Sequence, residues 1–480
     1  MSTTRARGTR ARSAPTAARL RAALNGFATR SPSRFAILVF ALLILLFTAL
    51  FSLPIASAEG TVTRFPDALF TAVSVICVTG LSTVDMATHW SVFGHLLVYL
   101  GVQIGAVGVL TMASILGMVI SRRLGLRAKL MAASDSNPLR IHAGPVPEGQ
   151  AVRLGEVGKL LRTVALSMVV IEGGVALLLF PRMLIAGVDV LTAAWESVYY
   201  SAMAFTNTGF APNVEGLSRF ATDYWFLGAL MIGVFLGAIG FPVILAIASN
   251  LRRRRRTWSI HVKLTLITSL VLLVAGAVLY VLLEYDNPRT FGRLDAGHTV
   301  FQSLFLSTMA RSGGFATIPI QDLHGSSLLV TDMLMFIGGG SASTAGGIKV
   351  TTLAVLFLAG LAEARGVESM DAFRRRIPID VLRLSVAVAL WGATIVAVSS
   401  ILILQITKAP LDHVLFDVIS AFATCGLSTG LTERLPDAGV FVLAATMFCG
   451  RVGTVTLAAA LAQSQRRQLY QNPEERPLVG

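Results

Sequence analysis

Eight long apolar stretches divide this chain, and they limit the folds that it can adopt more than any other feature. They cover residues 35–53, 93–120, 164–180, 225–248, 264–283, 328–359, 381–406 and 440–461. About 20 apolar residues in a helix cross the roughly 30 Å hydrocarbon core of a bilayer, whereas strands of soluble proteins are far shorter. With 54% hydrophobic and 14% charged residues, the chain has too little polar surface to enclose a soluble core of 480 residues. The sequence therefore predicts an all-α polytopic membrane protein.

The basic residues alternate between the connections that join these stretches. Most of the 40 Lys and Arg fall in residues 5–34, 122–162, 252–263, 365–383 and 466–476. Because cytoplasmic loops are enriched in Lys and Arg, both termini are predicted to be cytoplasmic. We assign the net charge of +14 to this topology and not to nucleic acid. Residues 1–34 are typical of a basic, disordered tail resting on anionic lipid, and residues 463–480 form a C-terminal cytoplasmic tail.

Two kinds of chemistry are not expected. The three cysteines, Cys77, Cys425 and Cys449, lie in or beside apolar segments, and their odd number and spacing indicate neither a disulfide framework nor a zinc site. The chain has no GxxxxGK[ST] or GxGxxG fingerprint of a nucleotide site. We therefore expect no enzyme activity and no organic cofactor on this chain.

A short glycine turn recurs four times, each time between two of the apolar stretches. The copies are Val78-Thr79-Gly80-Leu81, Asn207-Thr208-Gly209-Phe210, Ser312-Gly313-Gly314-Phe315 and Thr424-Cys425-Gly426-Leu427. The apolar segments before the turns, such as 68–76 and 414–422, are too short to span a membrane, and Asp67 and Asp412 are predicted to cap them. The sequence thus predicts four repeats of helix, re-entrant half-helix, turn and helix around one central pore, at residues 35–120, 158–250, 263–361 and 380–462.

Glycine permits backbone angles that point successive carbonyl oxygens inward, and it leaves no side chain in the passage. Rings of carbonyls replace the hydration shell of the ion in potassium filters, and the C-terminal ends of half-helices favour a cation. One glycine after an apolar helix is usually only a C-cap, but four in the same position favour a filter. We predict that the filter residues are Val78, Thr79, Gly80, Asn207, Thr208, Gly209, Ser312, Gly313, Gly314, Thr424, Cys425 and Gly426.

The stretch 328–359 contains a glycine-rich break, and 440–461 contains a buried cation. Glycine costs a helix about 1 kcal/mol relative to alanine, so the break is predicted to be an intramembrane loop. It comprises Gly338, Gly339, Gly340, Ser341, Ala342, Ser343, Thr344, Ala345, Gly346 and Gly347, with Lys349 at its inner end. A guanidinium in an apolar helix needs acceptors, so Arg451 is a structural tie to backbone carbonyls, a positive barrier below the turns, or both. Arg311 is expected to brace its half-helix through Asp417 or Glu196.

These turns, "MFIGGGSASTAGGIKV" at 335–350, "MFCGRVGTVTLAAAL" at 447–461 and the ending "NPEERPLVG" resemble the Trk/Ktr/HKT superfamily of cation transporters. The chain is most similar to the KtrB type of membrane subunit in bacterial Ktr potassium uptake systems. The resemblance implies that K+ is the transported ion, that Gly80 favours potassium over sodium, and that residues 338–347 are a gate working with Arg451. The Ser312-Gly313 pair and Cys425 depart from the usual Thr-Ala pair and valine, which affects the details of selectivity.

The resemblance also implies the setting in which the chain works. It implies a homodimer in the bacterial plasma membrane and a cytoplasmic ring of RCK-domain subunits, of the KtrA or KtrC type, that binds ATP or ADP. The exposed basic loops at 252–256 and 374–376 and the C-terminal tail are the expected docking surfaces. Sodium dependence is left open. So is a proton-coupled Trk-type subunit, although the missing N-terminal helices count against it.

The alternative from a different class of membrane protein is a secondary carrier for an organic solute. Carriers of that class use broken helices and inverted repeats to build a site at the middle of the membrane. They require side chains that face the solute, whereas all four equivalent positions here are glycines. A structural or receptor-like membrane protein would not need four re-entrant turns. The sequence therefore favours cation transport.

Overall fold

The computed structural model describes residues 32–123, 154–251, 258–367 and 369–453, and this part of the chain is almost entirely helical. Its helices are α1 (Pro32–Phe51), α2 (Phe65–Ile76), α3 (Val92–Arg123), α4 (Leu154–Ile185), α5 (Val190–Thr206), α6 (Tyr224–Ile239), α7 (Phe241–Leu251), α8 (Ile260–Glu284), α9 (Ala296–Met309), α10 (Gly325–Phe336), α11 (Val350–Ala364), α12 (Ile379–Thr407), α13 (Leu411–Ala423) and α14 (Asp437–Phe448). A π-helix, Cys449–Gly453, continues α14. The predicted tail up to residue 31, the arginines at 252–256 and the tail at 463–480 lie outside the described residues.

Four described helices are long and apolar enough to cross a membrane. They contain Val92–Leu110, Leu161–Ile185, Ile260–Glu284 and Ile379–Thr407. Of three other predicted stretches, 35–53 lies mostly in the 20-residue helix α1, 440–461 is described only to residue 453, and 328–359 is broken into α10 and α11. The remaining stretch, 225–248, is not one straight helix. It bends by 102° between Tyr224–Ile239 and Phe241–Asn250, which are long and apolar enough to cross a membrane only as a pair, so the predicted stretch is a broken helix.

The bend and the glycine-rich break stabilise each other. Gly240 has φ +89°, which ends α6, and Pro242 follows in the first turn of α7, where its missing N–H does no harm. The backbone groups released by the bend bond to the break: Gly340 N–H donates to the Ala238 carbonyl at 2.7 Å, and Phe241 N–H to the Ala342 carbonyl at 3.1 Å. The two interruptions therefore pair some of each other's main-chain polar groups inside an apolar environment.

Four short helices, α2, α5, α9 and α13, each precede one of the glycine turns. They contain 12, 17, 14 and 13 residues. At 1.5 Å per residue, they extend for roughly 18–26 Å, which is less than the hydrocarbon core. Asp67 and Asp412 lie in the first turns of α2 and α13 and are not the predicted N-caps, since those positions hold Arg64 and Pro410.

Contacts between the helices close a ring around the ends of the short helices. The helix after each turn packs against the short helix of the following segment: α3 against α5, α6 against α9, and α10 against α13. Then α14 packs against α2, far back in the sequence. Arg64, which caps α2, also bonds to Asp437 at the start of α14. We call the end of the molecule where the short helices begin the short-helix end.

A small antiparallel hairpin, β1 (Met370–Ala372) and β2 (Arg375–Ile377), marks the opposite end, which we call the hairpin end. Met370 pairs with Ile377, and both side chains are buried against the adjoining ends of α8, α11 and α12. The sequence analysis did not predict this hairpin. Its apolar positions are few, and its turn residues, Phe373 and Arg374, are unusual for a tight turn.

Candidate functional site

The four glycine turns share one backbone conformation. In each, the residue two positions before the final glycine has positive φ: Val78 58°, Asn207 61°, Ser312 76° and Thr424 46°. The final glycines also have positive φ: Gly80 95°, Gly209 82°, Gly314 74° and Gly426 97°. Residues other than glycine rarely adopt this region, and each such position costs of order 1–3 kcal/mol. Strain of the same kind at four corresponding positions indicates that the backbone shape itself is used.

The structure brings these four turns together, and we number them 1 to 4 in chain order, by their final glycines Gly80, Gly209, Gly314 and Gly426. A Cβ added to Gly426 would lie 2.6 Å from the Thr79 carbonyl oxygen, so turns 4 and 1 are in contact. A Cβ on Gly314 would lie 2.7 Å from the carbonyl oxygens of both Cys425 and Thr208. A Cβ on Gly80 would overlap the Thr208 carbonyl oxygen. Carbonyl oxygens of one turn therefore face the glycines of the others, and a side chain at any of these glycines would force the neighbouring turn to shift.

Turns 1 and 4 are each held by a serine of their own short helix. Gly80 N–H donates to the Ser74 hydroxyl oxygen at 3.1 Å, and Gly426 N–H donates to that of Ser420 at 3.2 Å. Both serines lie six residues before their glycine, so the same local bond occurs twice. These two turns therefore have a brace that needs no other part of the chain.

Turns 2 and 3 are held instead by residues from the glycine-rich break. The Asn207 side chain accepts a hydrogen bond from the Thr344 hydroxyl at 2.8 Å and donates to the Val234 carbonyl at 3.2 Å. The Ser312 hydroxyl accepts from Gly346 N–H at 3.3 Å and lies 3.1 Å from the Thr424 carbonyl oxygen, to which it donates. The strained residue of each of these turns is thus tied to the break at residues 338–347.

The break runs as a buried loop from α10, which ends at Phe336, to α11, which begins at Val350. Residues 338–340 and 343–347 are buried, and Ser341 and Ala342 are half-buried. The loop packs between the α6–α7 bend and the end of α13. A Cβ on Gly340 would lie 2.6 Å from the Ile239 carbonyl oxygen, and one on Gly346 would lie 2.6 Å from that of Ala423. Glycine is required at these close approaches.

Two cations fasten this loop from the side away from the short-helix end. Arg451, which is 2% exposed, donates through Nη1 to the Thr344 carbonyl and lies 3.5 Å from the Thr424 hydroxyl. Lys349 Nζ donates to the Ala345 carbonyl at 2.6 Å. The Arg451 side chain therefore ties backbone carbonyls, and the π-helix places it beside the turns.

Arg311 does not make its predicted contact. Within the described residues, its Nη1 donates to the Ser269 carbonyl of α8, and neither Asp417 nor Glu196 pairs with it. Asp417 instead accepts bonds from Ser428, Thr429 and Thr432, which follow turn 4. The carboxylate is already saturated by these nearer donors. The prediction that a carboxylate braces Arg311 is therefore wrong.

Sequence reasoning missed an acidic residue inside the third apolar stretch. Glu172 of α4 is 7% exposed, and its Oε2 accepts a hydrogen bond from Gln103 of α3 at 2.6 Å. The signal was available, because a carboxylate within a spanning helix is rare and needs a partner. Cys425 was predicted as a filter residue, but one of its contacts was not: its thiol donates to the Met309 carbonyl at 3.4 Å, which joins turn 4 to α9.

Comparison with known proteins gives a consistent result over most of the chain. The family model TrkH, described as a cation transport protein, matches residues 11–468. Ktr system potassium uptake protein B of Vibrio alginolyticus is 33% identical over 90% of this chain and 91% of that protein. Ktr system potassium uptake protein D of Bacillus subtilis is also 33% identical, over 94% and 97% of the two chains. The potassium/sodium uptake protein NtpJ of Enterococcus hirae is 30% identical, over 92% and 95%.

A solved structure shows the same fold. The potassium transporter TrkH of Vibrio parahaemolyticus superposes with a TM-score of 0.67 and 18% identity, and the match covers 89% of this chain and 84% of that chain. At this identity the likeness concerns the fold alone. The family match and the sequence relatives together lead to one conclusion: the chain belongs to the TrkH family of cation transport proteins and is similar to the Ktr potassium uptake proteins.

Proposed function

We propose that this protein takes up potassium across the bacterial plasma membrane, through a filter formed by its four glycine turns. In this proposal four units of helix, half-helix, turn and helix surround one pore. One observation carries this proposal: a backbone carbonyl oxygen of another turn lies next to each of the four final glycines, Gly80, Gly209, Gly314 and Gly426. Carbonyl oxygens at such a point can replace the water around an alkali cation.

The direction of the helices supports a cation and not an anion. The four short helices end at the turns, so the negative ends of their dipoles surround the space on the far side of the filter. An anion would be repelled there. An organic solute would need side-chain groups to bind it, and the glycines provide none.

The loop at 338–347 is proposed as the gate of this pore. It lies directly against Ala423 and Thr424 at the end of α13, and Arg451 and Lys349 hold its carbonyls. In this proposal the loop and the Arg451 guanidinium obstruct the path behind the turns. Conduction requires that these hydrogen bonds break. The loop can open only if another interaction stabilises its open position.

The relatives guide the rest of the proposal. The names of the Ktr relatives describe each as part of a system, and we propose that this chain is likewise a membrane subunit that works as a homodimer. A cytoplasmic RCK-domain ring binding ATP or ADP would dock on the hairpin end. The distribution of basic residues supports cytoplasmic termini, which makes the short-helix end the outer one.

Rescue of a bacterium that lacks potassium uptake tests this function. The wild-type chain should restore growth at low potassium, whereas Gly80→Ser should admit sodium and lower the preference for potassium by at least about tenfold, or 1.4 kcal/mol. Gly60→Ser is the matched control. Gly60 also has positive φ, at 70°, but no atom lies within 4 Å of the added Cβ.

Rubidium flux into proteoliposomes, with and without external sodium, completes the test. A filter predicts flux that follows the electrochemical gradient and is altered by the Gly80 substitution but not by the Gly60 substitution. If neither substitution changes ion preference, the turns are not the filter. If the wild-type protein moves no rubidium, potassium transport itself is rejected. The sodium arm decides whether transport depends on sodium.

A further inference from the structure

The β1–β2 hairpin carries an exposed basic tip on a strained backbone. Its turn residues, Phe373 and Arg374, have φ of 52° and 62°, a conformation that such turns usually assign to Asn and Gly. Both side chains are exposed, as are Arg375 and Arg376 beside them. Burial inside the chain therefore does not offset the strain of this turn, and the tip faces outward.

The base of the hairpin is fixed firmly to the membrane-spanning helices. Met370 and Ile377 are 8% and 7% exposed and pack with Ile260 and Leu264 of α8 and Leu358 of α11. The tip is also held, because Lys263 Nζ of α8 lies 5.2 Å from the centre of the Phe373 ring. The basic tip is therefore presented in a defined position.

This position lies at the edge of the apolar surface. Spanning helix α12 begins at Ile379, whose side chain is 58% exposed, only three residues after Arg376. Three residues extend at most about 11 Å. The headgroup layer beside the hydrocarbon core is about 5–8 Å thick, and the long arginine side chain adds further reach. The guanidinium groups can therefore lie among lipid headgroups.

The local charges are mostly basic. Among the described residues near the hairpin in the sequence or packed against it, the acidic side chains are Glu363, Asp371 and Asp380, and the basic ones are Lys263, Arg365, Arg374, Arg375, Arg376 and Arg383. Asp371 lies opposite Arg376 in the hairpin register. Among the described residues no carboxylate lies within 4.0 Å of the nitrogen atoms of Arg374, Arg375 or Arg376. The tip has a net positive charge that the described chain does not neutralise.

We propose that the hairpin tip binds the headgroups of anionic phospholipids. The guanidinium groups would bond phosphate oxygens, while the Phe373 ring rests at the interface. The tip adjoins α8, in which only 17% of the residues of the most apolar 18-residue segment are buried inside the chain. The tip therefore lies on the lipid-facing side, which favours a lipid over an acidic protein surface. The hairpin packs on α11, which follows the 338–347 loop, so bound lipid would stabilise that helix.

Thermal unfolding in nanodiscs tests the site without requiring transport. The wild-type protein should unfold at a higher temperature in discs containing phosphatidylglycerol than in discs of phosphatidylcholine alone. The variant R374Q/R375Q should lose at least half of this increase. In micelles its half-saturating phosphatidylglycerol concentration should rise by at least about fivefold, since each cation at a membrane surface contributes about 1 kcal/mol. The control R289Q/R293Q removes the same charge from exposed arginines at the short-helix end.

The outcomes separate this proposal from the alternatives. A second variant, R374K/R375K, should keep the lipid response, which shows that charge and not misfolding is responsible. The proposal is rejected if R374Q/R375Q keeps the full response or if R289Q/R293Q loses as much. It is also rejected if the tip responds only to an acidic cytoplasmic partner protein and not to lipid. Because the measurement is of unfolding, failure of potassium transport would leave it unaffected.

Discussion

Turn 1 and turns 2 and 3 have the same backbone conformation but are stabilised in different ways. Turn 1 has an apolar side chain, Val78, at its strained position, and its glycine is held by Ser74 of the same short helix. Turns 2 and 3 have Asn207 and Ser312 at that position, and both bond to the loop at 338–347. Among the described residues, no hydrogen bond joins residues 77–81 to that loop.

The difference implies that the loop supports the four turns of the proposed pore unequally. Movement of the loop would remove supports from turns 2 and 3 while leaving the local brace of turn 1 in place. One side of the proposed filter is then permanent, and the other depends on the closed loop. Substitutions on the two sides should have different consequences, which can be measured as ion preference and as flux without activation.

The largest effect on rubidium uptake is expected at the final glycine, the position that all four turns share. Gly209→Ala places a Cβ 2.5–2.6 Å from Gly314 backbone atoms, so overpacking and strain together should cost at least about 2 kcal/mol and reduce rubidium uptake about 30-fold or more. Gly187→Ala is the control, because Gly187 has the same φ of 82° with no atom within 4 Å. Equal losses in both variants would show that backbone strain alone matters.

A smaller effect is expected at the cation that holds the loop. Arg451→Gln removes a charged bond to the Thr344 carbonyl, worth about 1.5–3 kcal/mol, so flux without activation should rise roughly 10- to 100-fold. Arg311→Gln is the comparison, since Arg311 is equally buried and bonds a carbonyl of α8 away from the loop. A leak of similar size in Arg311→Gln would contradict the proposed role of the loop. Flux into proteoliposomes is the measurement.

Removal of a hydroxyl should have different effects at turn 2, which is held by the loop, and at turn 1, which is held by its own short helix. Thr344→Val removes the hydroxyl that bonds Asn207 and the Phe205 carbonyl, and should raise unactivated flux about 2- to 10-fold, as expected for a neutral bond of 0.5–1.5 kcal/mol. Ser74→Ala removes the brace of turn 1 and should change rubidium-to-sodium preference without raising the leak. If the two variants behave alike, the proposed inequality of the turns is rejected.

The smallest effect is expected at Ser312. Its bond from Gly346 N–H is long, at 3.3 Å, so Ser312→Ala should raise unactivated flux by about threefold or less. Ser420→Ala, which removes the brace of turn 4, should leave this flux unchanged and alter ion preference. The same flux assay in both variants orders the contributions of the loop contacts.

Much of this architecture could be predicted from local sequence signals. The apolar stretches predict helices because no other structure hides so much backbone in lipid, and the glycine density at 338–347 predicts the loop. The bend at Gly240 could also have been predicted from Pro242, but the apolar run on both sides concealed it. Where strong local signals exist, the sequence is sufficient.

The remaining features depend on contacts between distant residues. Nothing local predicts that Val78 adopts positive φ, because valine disfavours it and only the packed turns impose it. The bonds of Asn207 and Ser312 to the loop join residues 137 and 34 positions apart. Arg311 was assigned a carboxylate from charge alone, although a backbone carbonyl in the adjacent helix lies nearer.

The packing of α14 against α2 also affects how the molecule is made. Arg64 and Asp437, which join these helices, are 373 residues apart. At about 5–20 residues per second, a ribosome needs roughly 20–75 s to travel between them. Throughout that interval the first turn lacks the neighbour that completes the ring. The proposed filter is therefore one of the last parts to form during biogenesis, and a nascent chain stalled before α14 would be inserted with its ring of turns incomplete.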